Sequence, residues 1–517
     1  MRGLIVTATT DPARRQALAE LLPERAEVTF AEVNVGADGG AFDAVVVDRA
    51  GGQLPADLAV PTSGCLVEIG VESGEHQPRG EYFVKIAPGG SPLTARMPGE
   101  FPVVDRWQTV AVPPGGAAMA HVSVGFRDRP VVVKTDRAVR SGLGIETAAL
   151  RHPEVRRLLQ RALQPATAGQ ARRHGLAVVG YGSYGGMGYY HGIAARAVDG
   201  LEFVATCDTS PERRKAAESD FPGVRAYASV DDLVTDDDVD VVVIATPPVH
   251  HAELAGQLLA AGKHVVCEKP LCLTTADADA LIAGAAAAGR VLTVHQNRRW
   301  DTDFLAIRNA VDAGLLGEVF NVETFVGGFE HPCRAWHSEE SLSGGAVYDW
   351  GSHHIDWILQ LMGGPPAEVR CHGHKRVWHD VTNLDQIRVH MRWADGREAE
   401  FFQSDIAAIR RPKFYVQGTA GTLVGSYRPV VFERLEAGRG YVAEPAHHAE
   451  APADLRLARY QSGAGLVDSQ LPLPAEQRFA FHRNLADHLA LGEPLAVTPE
   501  SVRDVVAVLE AAHRSAS

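Results

Sequence analysis

The stretch LAVVGYGSYGGMGYYHG, residues 176–192, decides the fold class that the sequence predicts. It consists of an apolar run typical of a buried strand, a turn crowded with glycines and the start of a helix. Dinucleotide-binding domains commonly open with this order of elements, because the amides of the loop and of the helix N-terminus bind a pyrophosphate. The stretch therefore predicts a nucleotide-binding α/β domain, and the long region in front of it needs a separate explanation.

Apolar runs and helix-like segments alternate after this stretch. Runs that are hydrophobic on both faces are typical of strands in a parallel sheet that helices cover on both sides. The sequence therefore predicts a Rossmann dinucleotide-binding domain over residues 176–297. Its strands are predicted in LAVVG, LEFVATCD, VDVVVIATP, HVVCEKP and RVLTVHQN.

From about residue 318 the pattern changes to alternating apolar and polar residues, which is typical of an antiparallel sheet with one open face. Residues 298–517 are therefore predicted to form an α/β domain with a large, open, mostly antiparallel sheet. A C-terminal helix is predicted, with Thr498 as its N-cap and Glu500 close behind. The strands are predicted in EVFNVETFVGGF, EVRCHGHKRVW, DQIRVHMRWA, EAEFFQSDI and KFYVQGTAGTLVGSY.

Residues 1–163 also alternate short strands with helices, which predicts a flavodoxin-like α/β domain with a parallel sheet. Asp11 and Pro12 are placed as the N-cap and first-turn residue of a helix. Residues 164–175 are polar and rich in small residues, which indicates a linker. The strands are predicted in GLIVTAT, FDAVVVDRA, GCLVEIGV and RPVVVKTD, and a closing helix in PEVRRLLQRAL.

Composition narrows the class of function. The 517 residues carry a formal net charge of −14 with an isoelectric point near 5.9, which argues against a nucleic-acid or anionic-membrane partner. No apolar run approaches the ~20 residues that a membrane helix needs. The six cysteines show no CxxC pair, so we expect reduced thiols and a cytoplasmic protein.

The glycine-rich turn fits the pattern GxGxxG, with Gly180, Gly182 and Gly185. The first glycine permits a tight turn, and the second lets the backbone approach a pyrophosphate. Asp208 ends the next strand, where a carboxylate can bind the ribose hydroxyls of adenosine and repel the extra phosphate of NADP. Arg213 and Arg214 lie close enough in the sequence to attract that phosphate and oppose the repulsion. The sequence therefore favours NAD as cofactor, with NADP as the alternative.

Five motifs follow the glycine loop in order and resemble the Gfo/Idh/MocA oxidoreductases, named after glucose-fructose oxidoreductase and inositol dehydrogenase. The resemblance covers about residues 175–515. It implies NAD(P)-dependent oxidation of sugars, cyclitols or related polyols, in homodimers or homotetramers. The motifs are ATPPVHH (245–251), EKP (268–270), HQNRRWD (295–301), GLLGEVFNVETF (314–325) and SGGAVYDWGSHHIDW (343–357).

The glycine loop departs from the family pattern GxGxxGxxH. His191 lies three residues after Gly188 rather than after Gly185, as though GGM had been inserted. Either glycine can therefore be the one that lets helix and strand pack closely. The contacts of Ser183 and Tyr184 with a cofactor depend on the path of this loop.

The motif DWGSHHIDW offers a catalytic base. Asp349 and His353 are spaced i and i+4, so a helix would place them on one face, with Asp356 on the same stripe. His353, with an ordinary pKa near neutrality, would accept the hydroxyl proton of a substrate, and Asp349 would hold a substrate hydroxyl or set the local charge. His354 is rotated by about a hundred degrees and is the poorer candidate.

Lys269 offers the cation that hydride transfer needs beside the reacting oxygen. It follows a strand at the edge of the parallel sheet where ligands gather, and Glu268 beside it would orient the cofactor. The family resemblance implies that Lys269, Asp349 and His353 form the catalytic set. All three are also expected to contact the substrate, and Lys269 the cofactor.

Other motif residues complete the predicted site. Near the cofactor we expect Thr246, Pro247, His250 and Asn297. Arg298 or Arg299 would bind substrate oxygens while the other forms a structural ion pair, and the sequence prediction assigns the substrate to Arg298. Arg334 and Trp336 lie in the loop HPCRAWH, which suits a sugar face and equally suits a buried loop anchor.

No metal site is expected. The cluster CHGHK contains Cys371, His372 and His374, but in an alternating strand the cysteine points away from the two histidines. With no third and fourth ligand identifiable, zinc is not predicted.

The region before the glycine loop resembles ThuA-like domains of the glutamine-amidotransferase-like fold, mainly over residues 91–163. An amidotransferase would need a nucleophilic cysteine in a tight turn between strand and helix. Cys65 instead lies within a predicted strand, because Leu66 and Val67 continue the apolar run. The domain is therefore expected to act as a scaffold, an oligomer contact or a lid.

Three functions remain open on the sequence alone. The first is an NAD-dependent oxidoreductase that acts on a hydroxyl of a sugar, cyclitol or glycoside. The second is a redox-neutral enzyme that retains NAD and uses transient oxidation for elimination, epimerisation or glycoside cleavage. The third is a nucleotide-sensing scaffold, which the presence of all three catalytic residues disfavours.

Overall fold

The chain divides into two compact units, Met1–Ala171 and Arg172–Ser517, called here the N-terminal and the C-terminal unit. The structure is a computed structural model that describes residues 2–22, 27–31, 42–50, 62–70, 77–87, 91, 93–94, 97, 100–124, 127–136, 138–163, 173–182, 186–333, 335–428, 431–436, 440–445, 451–474 and 476–516.

The N-terminal unit contains one nine-stranded sheet with the strand order β2-β1-β3-β4-β9-β8-β7-β5-β6. Its strands are β1 (Arg2–Thr7), β2 (Glu27–Ala31), β3 (Phe42–Asp48), β4 (Thr62–Ile69), β5 (Gly80–Ile86), β6 (Glu100–Asp105), β7 (Ala117–Val124), β8 (Arg127–Lys134) and β9 (Val139–Ser141), and its helices are α1 (Pro12–Ala19), α2 (Thr147–Leu150) and α3 (Pro153–Ala162). The strands and the closing helix predicted here are present.

The parallel sheet expected in this unit extends over only half of it. The strands from β2 to β9 in sheet order pair in parallel, whereas β9, β8, β7, β5 and β6 pair antiparallel. The connections from β7 to β8 and from β8 to β9 are too short for the crossover that parallel neighbours need, so these strands form antiparallel pairs. The α/β class holds, but the sheet is mixed.

The first part of the C-terminal unit is a six-stranded, entirely parallel sheet with the order β12-β11-β10-β13-β14-β15. Its strands are β10 (His174–Val179), β11 (Leu201–Cys207), β12 (Arg225–Tyr227), β13 (Val241–Ile244), β14 (His264–Cys267) and β15 (Leu292–Val294), and its helices are α4 (Met187–Ala197), α5 (Pro211–Asp220), α6 (Val230–Val234), α7 (His251–Ala260) and α8 (Thr275–Ala288). The order reverses beside β10, so the carboxyl ends of β10 and β13 flank a crevice. The predicted Rossmann domain is confirmed.

The second part contains an eight-stranded sheet with the order β17-β18-β19-β16-β20-β21-β24-β25. Only β16 and β19 pair in parallel, as expected for a mostly antiparallel sheet. The strands of this sheet are β16 (Val319–Gly327), β17 (Glu368–His374), β18 (Gln386–Arg392), β19 (Glu398–Ser404), β20 (Phe414–Gly418), β21 (Gly421–Ser426), β24 (Asp454–Gln461) and β25 (Gly465–Leu471). Strands β22 (Val431–Glu436) and β23 (Gly440–Pro445) form a separate antiparallel pair, and the helices are α9 (Thr302–Asp312), α10 (Glu340–Ser343), α11 (Gly351–Met362), α12 (Ala480–Leu491) and α13 (Pro499–Ser515).

The two predicted helix N-caps are present in the structure. The side chains of Asp11 and Thr498 accept hydrogen bonds from the amides of Ala13 and Ser501, so both are N-caps. The six cysteines, all within the described residues, form no disulfide. Among the described helices, none combines the length and the apolar character that a bilayer span requires.

Candidate active site

A cleft of about 1890 Å³ lies in the C-terminal unit, at the carboxyl ends of the parallel strands. Of the predicted site residues, Ser183, Tyr184, Gly185 and Arg334 lie outside the described residues. The cleft brings together all the others: Gly180, Gly182, Asp208, Arg213, Thr246, Pro247, His250, Glu268, Lys269, Asn297, Arg298, Trp336, Asp349 and His353.

The glycines of the loop have different roles. Gly180 has φ of +95°, and a Cβ there would lie 2.7 Å from the carbonyl oxygen of Ala245, so only glycine fits this turn. A Cβ at Gly188 would lie 2.8 Å from the Tyr181 ring. Gly188 therefore allows helix α4 to pack closely on the loop after β10, whereas Gly185, the alternative, lies outside the described residues.

Asp208 follows β11 and is almost fully buried at the edge of the cleft. Its Oδ1 accepts a hydrogen bond of 2.9 Å from the amide of Ser210, and its Oδ2 lies 3.8 Å from Nη1 of Arg213. The carboxylate is thus held in place at the position where a ribose would lie, with a half-exposed guanidinium beside it. This pair is consistent with either NAD or NADP.

Lys269 and Asp349 form the central ion pair of the cleft. The ammonium Nζ of Lys269 lies 2.6 Å from Oδ1 of Asp349 and 3.3 Å from its backbone oxygen. Burial would raise the pKa of the Asp349 carboxyl, but the charge of Lys269 outweighs burial and holds this pKa below its ordinary value. Asp349 is therefore ionised, and it holds the ammonium in one position.

The expectation that Asp349 and His353 share a helix is wrong. Helix α11 begins at Gly351, and Asp349 lies in the turn before it with φ of −74° and ψ of −86°. His353 lies in the first turns of the helix, and both side chains still line the cleft. Asp356 faces away and forms an ion pair of 2.5 Å with Arg299.

His353 is less basic than its residue type suggests. Burial lowers its pKa well below the ordinary 6.5, and the positive charges of Lys269 and Arg298 lower it further. The ring is therefore neutral at physiological pH and can accept a hydrogen bond from a substrate hydroxyl. The expectation of a pKa near neutrality is wrong, because the sequence does not show how deeply the ring is buried.

The two neighbouring arginines, predicted to have a substrate-binding and a structural role, have different surroundings in the structure. Arg299 is buried and binds Asp356 through two nitrogens, at 2.8 and 2.5 Å. Arg298 lines the cleft, forms an ion pair of 3.2 Å with Asp301 and lies 5.0 Å above the ring of Trp350. Arg299 is thus a buried structural partner, whereas Arg298 lies at the wall of the cleft.

Trp336 also lines the cleft. Its ring stacks on that of His337 with centroids 3.5 Å apart and an angle of 25° between the planes. A stacked pair at the wall of the cleft agrees with the interpretation as a surface for a sugar face. The buried-anchor interpretation fits less well, because Trp336 remains partly accessible.

Glu268 is the centre of a hydrogen-bonded network that the sequence did not reveal. Its Oε1 lies 2.9 Å from Nε2 of His191 and 2.8 Å from Nδ1 of His295, and Nδ1 of His191 lies 2.9 Å from Nε2 of His482. Burial would raise the pKa of Glu268, but these partners hold it well below its ordinary value. The carboxylate at the edge of the cleft is therefore ionised and rigidly placed.

The same three histidines offer ligand atoms within 4.8 Å of one another, which is close enough for a metal ion. Both ring nitrogens of His191 are already occupied by hydrogen bonds, to Glu268 and to His482. Neutral tautomers satisfy this chain of hydrogen bonds, so we interpret the cluster as a network that positions Glu268. The residues come from α4, the end of β15 and α12, and no spacing in the sequence connects them.

His354, the neighbour of the proposed base, is fully buried and lies among the rings of Trp350, Trp357 and Phe401. Neither of its ring nitrogens has a hydrogen-bond partner. Burial lowers its pKa well below 6.5, so it stays neutral in the folded protein. In the unfolded chain the same ring takes up a proton below that pH, and falling pH therefore favours unfolding.

We expect His354→Leu to make the protein less sensitive to acid. Removing one group that takes up a proton only on unfolding lowers the dependence of the unfolding free energy on pH by about 1.4 kcal/mol per pH unit below pH 6. Urea denaturation at several pH values between 5 and 7.5 measures this slope. The exposed His372→Leu is the control and is expected to leave it unchanged. Equal slopes for the two variants would contradict the prediction.

Two models of known families match the chain. One, described as an oxidoreductase family with an NAD-binding Rossmann fold, matches residues 175–296, and the GFO/IDH/MocA C-terminal domain matches residues 304–424. The uncharacterized oxidoreductase YdgJ of Escherichia coli (strain K12) is 35% identical over 265 residues, which cover 49% of this chain and 73% of that protein. The chain belongs to the Gfo/Idh/MocA family.

Other members of the family are similar over a larger share of their length. The scyllo-inositol 2-dehydrogenase (NADP(+)) IolW of Bacillus subtilis (strain 168) is 26% identical over 339 residues, 65% of this chain and 92% of that enzyme. The structure of an NAD-binding protein from Listeria innocua has a TM-score of 0.56 and 31% identity, and covers 67% of this chain and 95% of that one. This Gfo/Idh/MocA protein is an NAD(P)-dependent oxidoreductase.

Proposed function

We propose that this Gfo/Idh/MocA oxidoreductase transfers a hydride between NAD and a secondary hydroxyl or carbonyl of a sugar, cyclitol or glycoside. The observation that carries the proposal is the ion pair of Lys269 and Asp349, 2.6 Å apart, in the same cleft as the neutral His353 and the glycine loop. The relative IolW, whose name states action on scyllo-inositol, supports a polyol as the substrate class.

The residues of the cleft fit a dinucleotide. Gly182 leaves room for a pyrophosphate to approach the backbone, since a Cβ there would meet, among the described residues, only Nη1 of Arg213, at 3.7 Å. The amides at the start of α4 suit a pyrophosphate, and Asp208 suits the ribose hydroxyls. Thr246, Pro247, His250, Glu268 and Asn297 line the cleft beyond them. Bound NAD supplies the hydride acceptor for alcohol oxidation.

The catalytic roles follow from charge and burial. The Lys269 ammonium, held by Asp349, donates to the substrate oxygen and stabilises the negative charge that develops there. His353, neutral and buried, accepts the hydroxyl proton. Arg298 and Trp336 bind the remaining parts of the substrate, the first through oxygen atoms and the second through a sugar face.

Two measurements test this function. Denaturing the purified protein and identifying any released nucleotide by mass spectrometry shows which cofactor is bound. Absorbance of the reduced nicotinamide then reports oxidation of scyllo-inositol, myo-inositol and D-glucose with added NAD or NADP. Stoichiometric retained NAD(H) without net reduction would instead support the redox-neutral alternative. Binding of nucleotide without conversion of any polyol, unchanged by Lys269→Ala, would support a sensing role.

The preference for NAD over NADP rests on Asp208. We expect Asp208→Asn to lower the ratio of kcat/KM for NAD to that for NADP by roughly tenfold or more, because it removes the carboxylate that repels a 2′-phosphate and leaves Arg213 to bind it. The asparagine Oδ1 can still accept from the Ser210 amide. Glu202→Gln, exposed on the same strand, is the control. An unchanged ratio would show that another group selects the cofactor.

We also propose that the N-terminal unit is a ThuA-like domain without a nucleophilic cysteine. Cys65 lies inside β4 rather than at a turn from strand to helix. Burial raises the pKa of its thiol, which opposes formation of the reactive thiolate. Iodoacetamide labelling at neutral pH is expected to modify Cys65 more slowly than free cysteine, and rapid labelling would contradict the proposal.

A further inference from the structure

Asp405 lies in the turn after β19 and lines the cleft together with Asp349. Its backbone is held on both sides, because its amide donates to the oxygen of Asp385 and its own oxygen accepts from the amide of Glu330 and from Nε1 of Trp378. Within the described part of the chain its carboxyl group has no hydrogen bond and no ion pair. A rigidly held carboxyl without a partner is thus present in the wall of the cleft.

Two further acceptors belong to the same wall. Gln403 lies in β19, two residues before Asp405, and Asn383 precedes the start of β18. Both residues line the cleft and are nine-tenths buried. The side-chain oxygens Oε1 of Gln403 and Oδ1 of Asn383 are buried without a hydrogen-bond partner among the described residues. A wall with several unsatisfied acceptors suits a ligand that is rich in donors.

Three of the cations that line the cleft are already placed beside carboxylates. Lys269, Arg298 and Arg428 all line the cleft, and each has a carboxylate oxygen within reach, at 2.6, 3.2 and 3.5 Å. A substrate carboxylate or phosphate would have to compete with these acids for its cation. The same group would meet Asp349 and Asp405 as like charges.

We propose that Asp405 determines substrate specificity by accepting a hydrogen bond from a hydroxyl or ammonium group, so that the cleft takes neutral and amino-substituted polyols and excludes phosphorylated and carboxylated ones. The inference rests on the proposed function and adds to it the charge class of the substrate. Asp405 binds substrate in this scheme and takes no part in the transfer of hydride or proton.

The charge of the Asp405 carboxyl makes the preference for an amine over a neutral polyol depend on pH. Burial, and then the negative charges of Asp349 and Asp385, raises the pKa of Asp405 to about 7, while Lys375 lowers it and Glu330 raises it further. The carboxyl is mostly neutral at pH 6 and mostly ionised at pH 8. An aliphatic ammonium stays protonated over this range, so preference for an amine rises with pH.

The probes are scyllo-inositol, its monoamine scyllo-inosamine and its monophosphate. All six carbons of scyllo-inositol are equivalent, so a single substituent can be presented to Asp405 without changing the rest of the ring. The full-length protein loaded with NAD is titrated with each probe by calorimetry, and kcat/KM is measured where turnover occurs. We expect the amine to bind at least as tightly as scyllo-inositol at pH 8, and the phosphate at least tenfold more weakly.

Asp405→Asn provides the decisive comparison. We expect it to lower the amine-to-polyol affinity ratio at pH 8 by about tenfold and to abolish the roughly tenfold rise of this ratio between pH 6 and pH 8. Asp395→Asn, an exposed carboxylate between β18 and β19, is the matched control. Thermal unfolding confirms that both variants are folded, which is expected because the Asp405 carboxyl makes no contact on which the fold depends.

Each outcome has a separate meaning. If scyllo-inositol is oxidised but the phosphate binds as well as the polyol, the proposed function stands and the role of Asp405 is overturned. A preference for the amine that persists unchanged in Asp405→Asn also overturns it. If none of the three probes binds in the presence of NAD and neither they nor D-glucose is oxidised, the proposed polyol function itself fails, and the inference fails with it.

Discussion

Lys269→Met is expected to lower kcat/KM for hydride transfer by about a thousandfold while changing the affinity for NAD only a few-fold. The substitution removes the ammonium 2.6 Å from Asp349, which is the cation placed to stabilise the charge that develops on the substrate oxygen. Asp349 then stays in the cleft without this counter-charge, and its pKa rises because the largest influence that opposes burial is removed, while those of His337 and Arg298 remain. Both effects act on turnover and leave the glycine loop unchanged.

Steady-state kinetics with the best polyol measure the loss, and calorimetry measures NAD binding separately. Lys215→Met, an exposed lysine on α5, is the control and is expected to behave as the original protein does. Retention of more than a tenth of the original kcat/KM by Lys269→Met would exclude Lys269 as the catalytic cation.

Asp356→Leu is expected to lower the free energy of unfolding by about 3–5 kcal/mol. Asp356 and Arg299 are both almost fully buried, and two charge-assisted hydrogen bonds of 2.8 and 2.5 Å join them. Removing the carboxylate leaves the guanidinium of Arg299 in the interior without its counter-charge, with only the oxygens of Ala496 and Ser501 as partners. The pair joins α11, which carries His353, to the turn before α9, and Arg299 also donates to the oxygen of Ala496 in the segment before α13.

Urea denaturation followed by tryptophan fluorescence measures the loss, since Trp350 and Trp357 lie on or beside α11. Asp395→Asn, part of an exposed pair with Arg397, is the control and is expected to give no measurable shift. The double variant with Arg299→Met is expected to recover part of the stability, because no charge then remains unpaired. A loss below about 1 kcal/mol for Asp356→Leu would show that Arg299 finds another partner.

Much of the fold followed from local pattern. The strands of the Rossmann domain are continuous apolar runs and those of the second sheet alternate, because a sheet covered on both faces and a sheet open on one face bury different sets of side chains. The tight turn at Gly180 was also predictable from local sequence, since only glycine adopts the backbone conformation found there. In the N-terminal unit the same pattern did not reveal which strands pair antiparallel, because pairing direction depends on connections and neighbours.

The candidate site residues were predictable where they belong to one short sequence motif. Lys269, Asp349, His353 and the glycine loop belong to short motifs, and the structure brings all the described members to one cleft. The network around Glu268 and the carboxyl of Asp405 were not predictable, since their members are far apart in the sequence. A carboxylate directly after the strand EAEFFQS was the one available signal for Asp405.

The sequence by itself predicted many of the strands and helices, the glycine loop and the residue types that we propose for hydride transfer. Those features depend on periodicity and spacing, which are local properties of a chain. Only the tertiary structure decided that Gly188 packs against Tyr181, which is a matter of shape. It also decided that His353 is a weak base, that Arg299 is buried in an ion pair with Asp356, and that the Asp405 carboxyl has no partner among the described residues. Each of these depends on burial and on charges brought near by the fold, because desolvation and Coulomb interactions are set by distance in space rather than by distance along the chain.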